Sequence, residues 1–180
     1  MTILRTIAND RTRLSRIQFV CKYFFPLVAI FFTWGALGNF YSLSLTQKDL
    51  IANKGKITTM ITKMEIGITK YRRIKYYPII ISLEHSSKEF RVRDNFKDWL
   101  VYLQDKIQSG DSVTIFTRNR FDAFLSWGRK GDIYEIDKNG TVIFPLSIVK
   151  EYNRNQAKLL AVFALVFWLP FAVYILRPIR

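Results

Sequence analysis

The chain has 180 residues, of which 28 are basic and 14 acidic, so its formal net charge at neutral pH is +14. An excess of this sign suits anionic lipid headgroups, nucleic acid or an acidic protein as partners. One cysteine and one histidine exclude an intrachain disulfide and a zinc site built only from Cys and His ligands. The order of apolar and basic segments therefore carries most of the functional information.

Residues 1–22 are a basic tail in which the cations outnumber a single acid, Asp10. Apolar residues are interleaved with these cations. The pattern is compatible with an amphipathic helix on an anionic membrane surface. The alternative is a juxtamembrane tail whose charges orient the following segment.

An uncharged stretch lies between Lys22 and Lys48. About 20 apolar residues cross the ~30 Å hydrocarbon layer as a helix, which pairs its own backbone groups in lipid. We predict a transmembrane helix over residues 23–45, in preference to a soluble core helix or a cleaved signal sequence. Gly35, Ala36 and Gly38 are small enough to let a second helix approach closely.

A second uncharged stretch lies between Lys158 and Arg177 and predicts a transmembrane helix over residues 157–176, followed by the basic tail 177–180. Pro170 is expected to kink this helix. Two spans place both termini on one side of the membrane. Short tails carry the orienting charges, so we expect cytoplasmic termini and an extracytoplasmic domain.

Residues 46–156 are predicted to form one β-rich domain. Ile and Thr are frequent from Gly55 to Thr69, which favours a strand that bends at Gly67. The pair Asn139-Gly140 predicts a tight hairpin turn. Further strands are predicted over residues 79–84, 89–93, 112–117, 132–136 and 141–144.

One helix is predicted inside this domain, over residues 96–108. Phe96, Leu100, Leu103 and Ile107 recur at helical spacing and form a single apolar stripe. The sequence therefore predicts an α+β membrane protein. Two transmembrane helices flank a small β-rich domain, a barrel-like or strongly bent sheet with one covering helix.

The order of these elements, together with Gly110-Asp111-Ser112-Val113, resembles bacterial two-span membrane proteins built around a small β domain of unknown function. The resemblance extends from Gly55 to Leu176. It implies this architecture in a bacterial inner membrane. That family supplies no catalytic residues, and the helix over residues 96–108 is an addition to its simplest plan.

No residue pattern predicts catalysis. Glu84 ends a predicted strand, and His85 begins the turn predicted after it. Adjacent residues of a strand point to opposite faces, so the two side chains are poor candidates for a catalytic triad, and a turn histidine in water is the alternative. Asp132, Glu135 and Asp137 lack calcium-loop spacing and are interpreted as solvated hairpin charges. We expect no catalytic residue, no cofactor and no metal site.

Basic and aromatic residues give the clearest binding signal. Residues 70–77 are predicted to form a basic hairpin loop, and Arg91 and Arg93 to share one strand face. Tyrosine beside arginine suits lipid headgroups, phosphates or bases, and a solvated turn without a ligand is the alternative. The predicted anionic-surface contact consists of Lys70, Tyr71, Arg72, Arg73, Lys75, Tyr76, Tyr77, Arg91 and Arg93.

Together these features predict a non-enzymatic, membrane-anchored binding or accessory protein. It would be a subunit or regulator of a membrane protein complex, a description that includes an immunity-type role. Expected partners are anionic lipid headgroups and another membrane protein or a second copy of the chain. The alternatives are a small membrane enzyme or an oligomeric transport component, and a nucleic-acid-binding module if the domain is cytoplasmic. Nucleic acid is the least favoured partner.

Overall fold

The computed structural model of the chain describes residues 16, 18–68, 73–125 and 127–176. Most of the predicted tail 1–22 and all of the tail 177–180 lie outside these residues. The chain divides into two compact units. The helical unit comprises the residues up to Phe40 and those from Arg154 onward, and the sheet unit comprises Tyr41–Asn153.

Two long helices carry the predicted spans. Helix α1 covers Phe25–Ser44 and follows a π-helical turn at Val20–Phe24. The last helix, α4, covers Leu146–Leu176 and contains Pro170. Both are long and apolar enough to cross a membrane. Helix α4 begins at Leu146, before the predicted span of residues 157–176.

Within the helical unit, α1 and α4 pack through aromatic rings and small residues. The Phe32 ring stacks on Phe163 and Phe167, with ring centres 5.3 and 5.5 Å apart. Trp168 Nε1 donates to Thr33 Oγ1 at 3.2 Å. The small residues of α1 singled out from the sequence, Gly35, Ala36 and Gly38, are all buried. Van der Waals packing of this kind holds helices together in lipid, where no hydrophobic driving force acts between them.

The described part of the sheet unit holds one six-stranded antiparallel sheet in the order β5-β4-β1-β6-β7-β8. Its strands are β1 Ile51–Thr62, β4 Ile79–Leu83, β5 Glu89–Val92, β6 Ser112–Thr117, β7 Ile133–Lys138 and β8 Thr141–Phe144. The fold class is therefore α+β with an antiparallel sheet.

A two-stranded hairpin lies outside the six-stranded sheet, and it shows that two predictions were wrong. Strand β2, Glu65–Ile68, pairs only with β3, Arg73–Tyr76, among the described strands. The predicted strand over residues 55–69 therefore breaks at residues 63–64 instead of bending at Gly67. The predicted loop over residues 70–77 contains a strand, because Arg73 to Tyr76 find hydrogen-bonding partners in β2.

Strand β1 changes neighbours along its length. Residues 51–56 pair with β6 and residues 57–62 with β4, with an irregularity between Ile57 and Thr59. Strand β5, at one end of the strand order, is also bridged to the residues just before β7. Arg91 and Asp132 form a parallel bridge, and Arg91 N donates to Gly131 O at 2.8 Å. This bridge brings β5 against the start of β7. Residues at or next to the bridge line both candidate clefts described below.

The structure contains the covering helix predicted over residues 96–108 and the hairpin turn predicted at Asn139-Gly140. A 3₁₀ turn at Asp94–Phe96 leads into α2, Lys97–Lys106, and Phe96, Leu103 and Ile107 are buried against the core. Burying a side chain of this size contributes about 1.5–3 kcal/mol. Asn139 and Gly140 both have positive φ, 54° and 82°, as a type I′ turn requires. Helix α3, Arg120–Leu125, was not evident from the sequence.

Candidate anion-binding clefts

The predicted anionic-contact residues do not all lie at one site in the structure. Lys70, Tyr71 and Arg72 lie outside the described residues. Arg73 belongs to β3, while Lys75 and Tyr77 are exposed. The remaining three line one cleft together: Tyr76, Arg91 and Arg93.

This cleft has a volume of about 380 Å³ and is called here the paired cleft. Its lining includes three arginines, two aspartates and three aromatic rings: Arg91, Arg93, Arg129, Asp94, Asp132, Tyr76, Trp127 and Tyr152. Strand β5 and the residue after it present Arg91 and Arg93. The turn before β7 presents Arg129 and Asp132, so the β5–β7 bridge assembles the cleft.

Asp132 neutralises Arg93 inside the protein. One carboxylate oxygen, Oδ2, accepts from Arg93 Nε at 2.8 Å, from Arg93 Nη2 at 2.6 Å and from Arg129 N at 2.8 Å. Burial by itself would lower the pKa of Arg93, but the Asp132 carboxylate, together with the neighbouring Tyr134 and Tyr152, raises that pKa above its ordinary value. Asp132 is only 3% exposed and Glu135 only 7%, so the interpretation of these two residues as solvated hairpin charges was wrong.

Arg91 is also matched by an acid. Its Nη2 lies 2.9 Å from Glu65 Oε2, and the same oxygen lies 3.4 Å from Arg129 Nη1. Arg91 Nε and Asp132 Oδ1 are buried and find no hydrogen-bond partner within the described residues. An anion entering the paired cleft must therefore compete with Glu65 and Asp132. The role predicted for Arg91 and Arg93 stays a prediction.

A second cleft, of about 600 Å³, carries a different balance of charge and is called here the basic cleft. Four cations line it, Lys88, Arg118, Arg120 and Lys130, and Glu89 is the one acid among the described lining residues. Three separate segments of the chain contribute these cations.

Gly131 allows the segments of the basic cleft to meet. Its φ is +89°, and a Cβ at this position would lie 2.5 Å from the Glu89 carbonyl oxygen. Only glycine permits that approach without a shift of backbone. Because Lys88 precedes Glu89 and Lys130 precedes Gly131, the contact holds both lysines at the same cleft.

Arg118 lies at the floor of the basic cleft and is only 4% exposed. Its guanidinium carbon is 5.8 Å from the centre of the Tyr41 ring and 5.7 Å from that of Tyr134. The faces of aromatic rings attract cations, and arginine keeps its charge when buried. The positive charge of Arg118 is thus held in place beneath the exposed Lys88, Arg120 and Lys130.

Three aromatic side chains are exposed between Arg120 and Arg129 of the chain, and the last of them, Trp127, lines the paired cleft. They are called the aromatic segment: Phe121 (68% exposed), Phe124 (59%) and Trp127 (38%). The Asn119 side chain begins α3 by accepting from Asp122 N at 2.7 Å. Gly128 N donates to Ala123 O at 2.7 Å where the helix ends. Trp127 has a φ of +55°, which few residues other than glycine adopt.

Other candidate sites are weaker. No group of three or more His, Cys, Asp or Glu side chains suited to a metal occurs within residues 16, 18–68, 73–125 and 127–176. Glu84 and His85 lie in the turn after β4. The turn predicted at His85 is confirmed, whereas Glu84, the last residue of the strand predicted over residues 79–84, lies just outside β4. Their side chains are 3.6 Å apart and largely in solvent.

Sequence reasoning missed the basic cleft because its cations are spread along the chain. The available signal was the run from Arg118 to Lys130, in which three aromatic residues stand between two pairs of cations. Comparisons with known protein families, with curated proteins and with solved structures find no match to this chain. The resemblance to bacterial two-span membrane proteins therefore stays a prediction.

Proposed function

We propose that this chain is a non-enzymatic, membrane-anchored binding protein that serves as an accessory subunit or regulator of a membrane protein complex. The observation that carries the proposal is the apolar surface of its two long helices. Leu27, Leu37, Leu165 and Leu169 are each more than 60% exposed on α1 and α4. An apolar surface of this extent needs lipid or a protein partner to cover it.

The finer parts of the proposal are location and orientation. We place the chain in a bacterial inner membrane, with both termini in the cytoplasm and the sheet unit outside it. The balance of short-tail charges supports this orientation. A barrel-like form of the sheet unit belongs to the same proposal and is supported by the Arg91–Asp132 bridge.

Membrane integration and orientation are tested by one cysteine variant. Thr141→Cys in a Cys21→Ser background puts a thiol at an exposed position of the β7–β8 hairpin, where φ is not positive. We expect the protein to resist alkaline carbonate extraction and to react with an impermeant thiol reagent in intact cells. A Thr2→Cys variant is the control and should react only after lysis.

The opposite labelling pattern would place the sheet unit in the cytoplasm and favour the nucleic-acid alternative. The accessory role has its own test, which is purification of the full chain from its native membrane in mild detergent. We expect a stable complex with another membrane protein. A solitary monomer would contradict the accessory role, and release by carbonate would contradict anchoring.

A further inference from the structure

We infer that the aromatic segment and the basic cleft together form a surface that docks on anionic lipid headgroups. Phe121 and Phe124 enter the interfacial layer, while Lys88, Arg120 and Lys130 contact lipid phosphates. The inference rests on the membrane anchoring in the proposed function. The surface adds contact residues outside the predicted hairpin at residues 70–77, and it adjoins that hairpin where Trp127 and Tyr76 line the paired cleft together.

Large aromatic side chains are exposed on the very short helix α3. Phe121 and Phe124 are 68% and 59% exposed, although other phenylalanines of the sheet unit, such as Phe90 and Phe144, are fully buried. Apolar side chains on an amphipathic surface are typical of segments that sit at the boundary between headgroups and acyl chains. Aromatic rings are enriched at this depth.

Cations precede and follow these aromatic residues along the chain. Arg118 and Arg120 precede Phe121, and Arg129 and Lys130 follow Trp127. Lys88 reaches the same place from the β4–β5 connection, and Arg120, Lys130 and Lys88 are all exposed. Clustered cations are attracted to the negative surface of a membrane that contains anionic lipid.

Trp127 lies at the end of α3, in the cap that terminates the helix. Its φ of +55° is the left-handed conformation in which helices commonly end. Trp127 N donates to Phe124 O at 3.1 Å, and Gly128 N donates to Ala123 O at 2.7 Å. This cap fixes the backbone that carries the exposed Phe124 and Trp127 side chains.

A tyrosine of the sheet unit, Tyr41, lies against the basic cleft. Arg118 contacts the ring of Tyr41, which lies in the last turn of α1 and within the uncharged stretch before Lys48. Tyrosine at the end of a span is typical of the headgroup layer. A partner covering the aromatic segment is therefore expected to carry both apolar and anionic groups, as an anionic lipid surface does.

The test uses the full chain in lipid nanodiscs that contain phosphatidylcholine, with or without phosphatidylglycerol. A Phe121→Cys variant in a Cys21→Ser background carries an environment-sensitive fluorophore, and a nitroxide-bearing lipid serves as quencher. We expect blue-shifted emission and lipid quenching only with phosphatidylglycerol. Val101→Cys on α2 is the matched control, since Val101 is 70% exposed, and its label should stay in water.

Charge dependence separates headgroup docking from simple nearness to the bilayer. Each cation at an anionic surface contributes about fivefold to binding. The triple variant Lys88→Gln, Arg120→Gln and Lys130→Gln should therefore lower the ratio of docked to undocked protein on the order of 100-fold. Lys54→Gln, Lys56→Gln and Lys97→Gln remove equal charge from exposed positions elsewhere and should not change it. High salt should undock the wild type, because the screening length falls from ~10 Å at 0.1 M to ~3 Å at 1 M.

Each other outcome overturns the inference. A label at residue 121 that stays in water with anionic lipid excludes docking, while incorporation into nanodiscs still supports anchoring. Lipid contact that ignores charge excludes headgroup recognition. A shielded label without lipid quenching identifies a protein contact instead. Failure of the chain to enter nanodiscs would contradict both this inference and the proposed function. Unchanged thermal midpoints show that the variants are folded.

Discussion

The two clefts share the chain segment after β6 but use arginine in opposite ways. In the paired cleft, Arg91 and Arg93 each meet a carboxylate, from Glu65 and Asp132. In the basic cleft, Arg118 lies against two tyrosine rings, and Arg120 extends into solvent. The number of arginines in a segment therefore does not indicate its capacity to bind an anion. The groups that already contact each guanidinium decide it.

This difference separates stability from binding. Removing one partner of a buried ion pair leaves an uncompensated charge and is strongly destabilising. Exposed cations contribute little to stability because water solvates them equally well in the unfolded chain. Substitutions in the paired cleft should therefore change unfolding, and those in the basic cleft should change ligand contact.

The largest effect is expected for Asp132→Ala. The change removes the acceptor of three hydrogen bonds and leaves Arg93 charged with its side chain 18% exposed. We expect a loss of about 3–5 kcal/mol, or a fall of roughly 12 °C or more in the midpoint of thermal unfolding. Circular dichroism of the full chain in detergent measures it.

Asp105→Ala is the control for Asp132→Ala. The Asp105 side chain is 74% exposed, and its ion pair with Lys106 spans 3.2 Å. Its removal should change stability by no more than about 1 kcal/mol. Equal effects of the two substitutions would show that the Arg93–Asp132 pair is not a structural element of the paired cleft.

Glu65→Gln should make the paired cleft resemble the basic cleft. It keeps the shape of the side chain but leaves Arg91 and Arg129 without their shared carboxylate. We expect a loss of about 1–2 kcal/mol, which added phosphate partly restores by occupying the vacated position. Thermal unfolding with and without phosphate measures both effects. Glu84→Gln is the exposed control. An equal response to phosphate in the wild type, Glu65→Gln and Glu84→Gln would show that phosphate does not replace the Glu65 carboxylate in the paired cleft.

A partly exposed ion pair outside both clefts gives an intermediate case. The Lys138 ammonium, 2.7 Å from Asp111 Oδ2, and the Gln108 N–H, also at 2.7 Å, lower the pKa of Asp111 below its ordinary value. Its stabilising contribution is complete above the unfolded pKa of about 4 and is lost as the pH falls through the lower folded value.

The difference in thermal midpoint between wild type and Asp111→Asn should therefore be largest near neutral pH. It should shrink as the pH falls below about 4. Midpoints at a series of pH values measure this difference. A difference that persists unchanged into strong acid would show that the carboxylate charge does not stabilise the folded state.

The smallest effect on stability is expected in the basic cleft. Arg120→Gln and Lys130→Gln alter exposed side chains, so each should change the free energy of unfolding by less than about 0.5 kcal/mol. The thermal midpoint of each variant measures this. A loss of stability as large as that expected for Glu65→Gln would show that the cations of the basic cleft also stabilise the fold. That result would contradict the difference between the two clefts.

Local sequence signals predicted a good part of the fold. The Asn139-Gly140 turn was predictable because both residues tolerate positive φ, and the stripe from Phe96 to Ile107 because burial follows the helical period. The strand at Arg73–Tyr76 was missed. Its four residues do alternate between basic and apolar, but the cations suggested a loop, and pairing with β2 outweighed that preference.

The candidate sites depend on contacts that no local pattern reveals. Arg93 and Asp132 are 39 residues apart, and they meet only because β5 bridges the start of β7. That bridge depends on the order of strands in the sheet. For the same reason, the sequence did not show that Lys88 and Lys130 meet through the close approach of Gly131 to Glu89.

The divided pairing of β1 has a consequence for the order of folding during synthesis. Residues 57–62 can pair as soon as β4 has left the ribosome, whereas residues 51–56 must wait for β6, which follows α2. Until then the first half of the strand is an unprotected edge, and such edges invite pairing with other chains. Distant pairing is also slow. We expect the nascent chain to be most prone to aggregation in the interval between the appearance of β4 and that of β6.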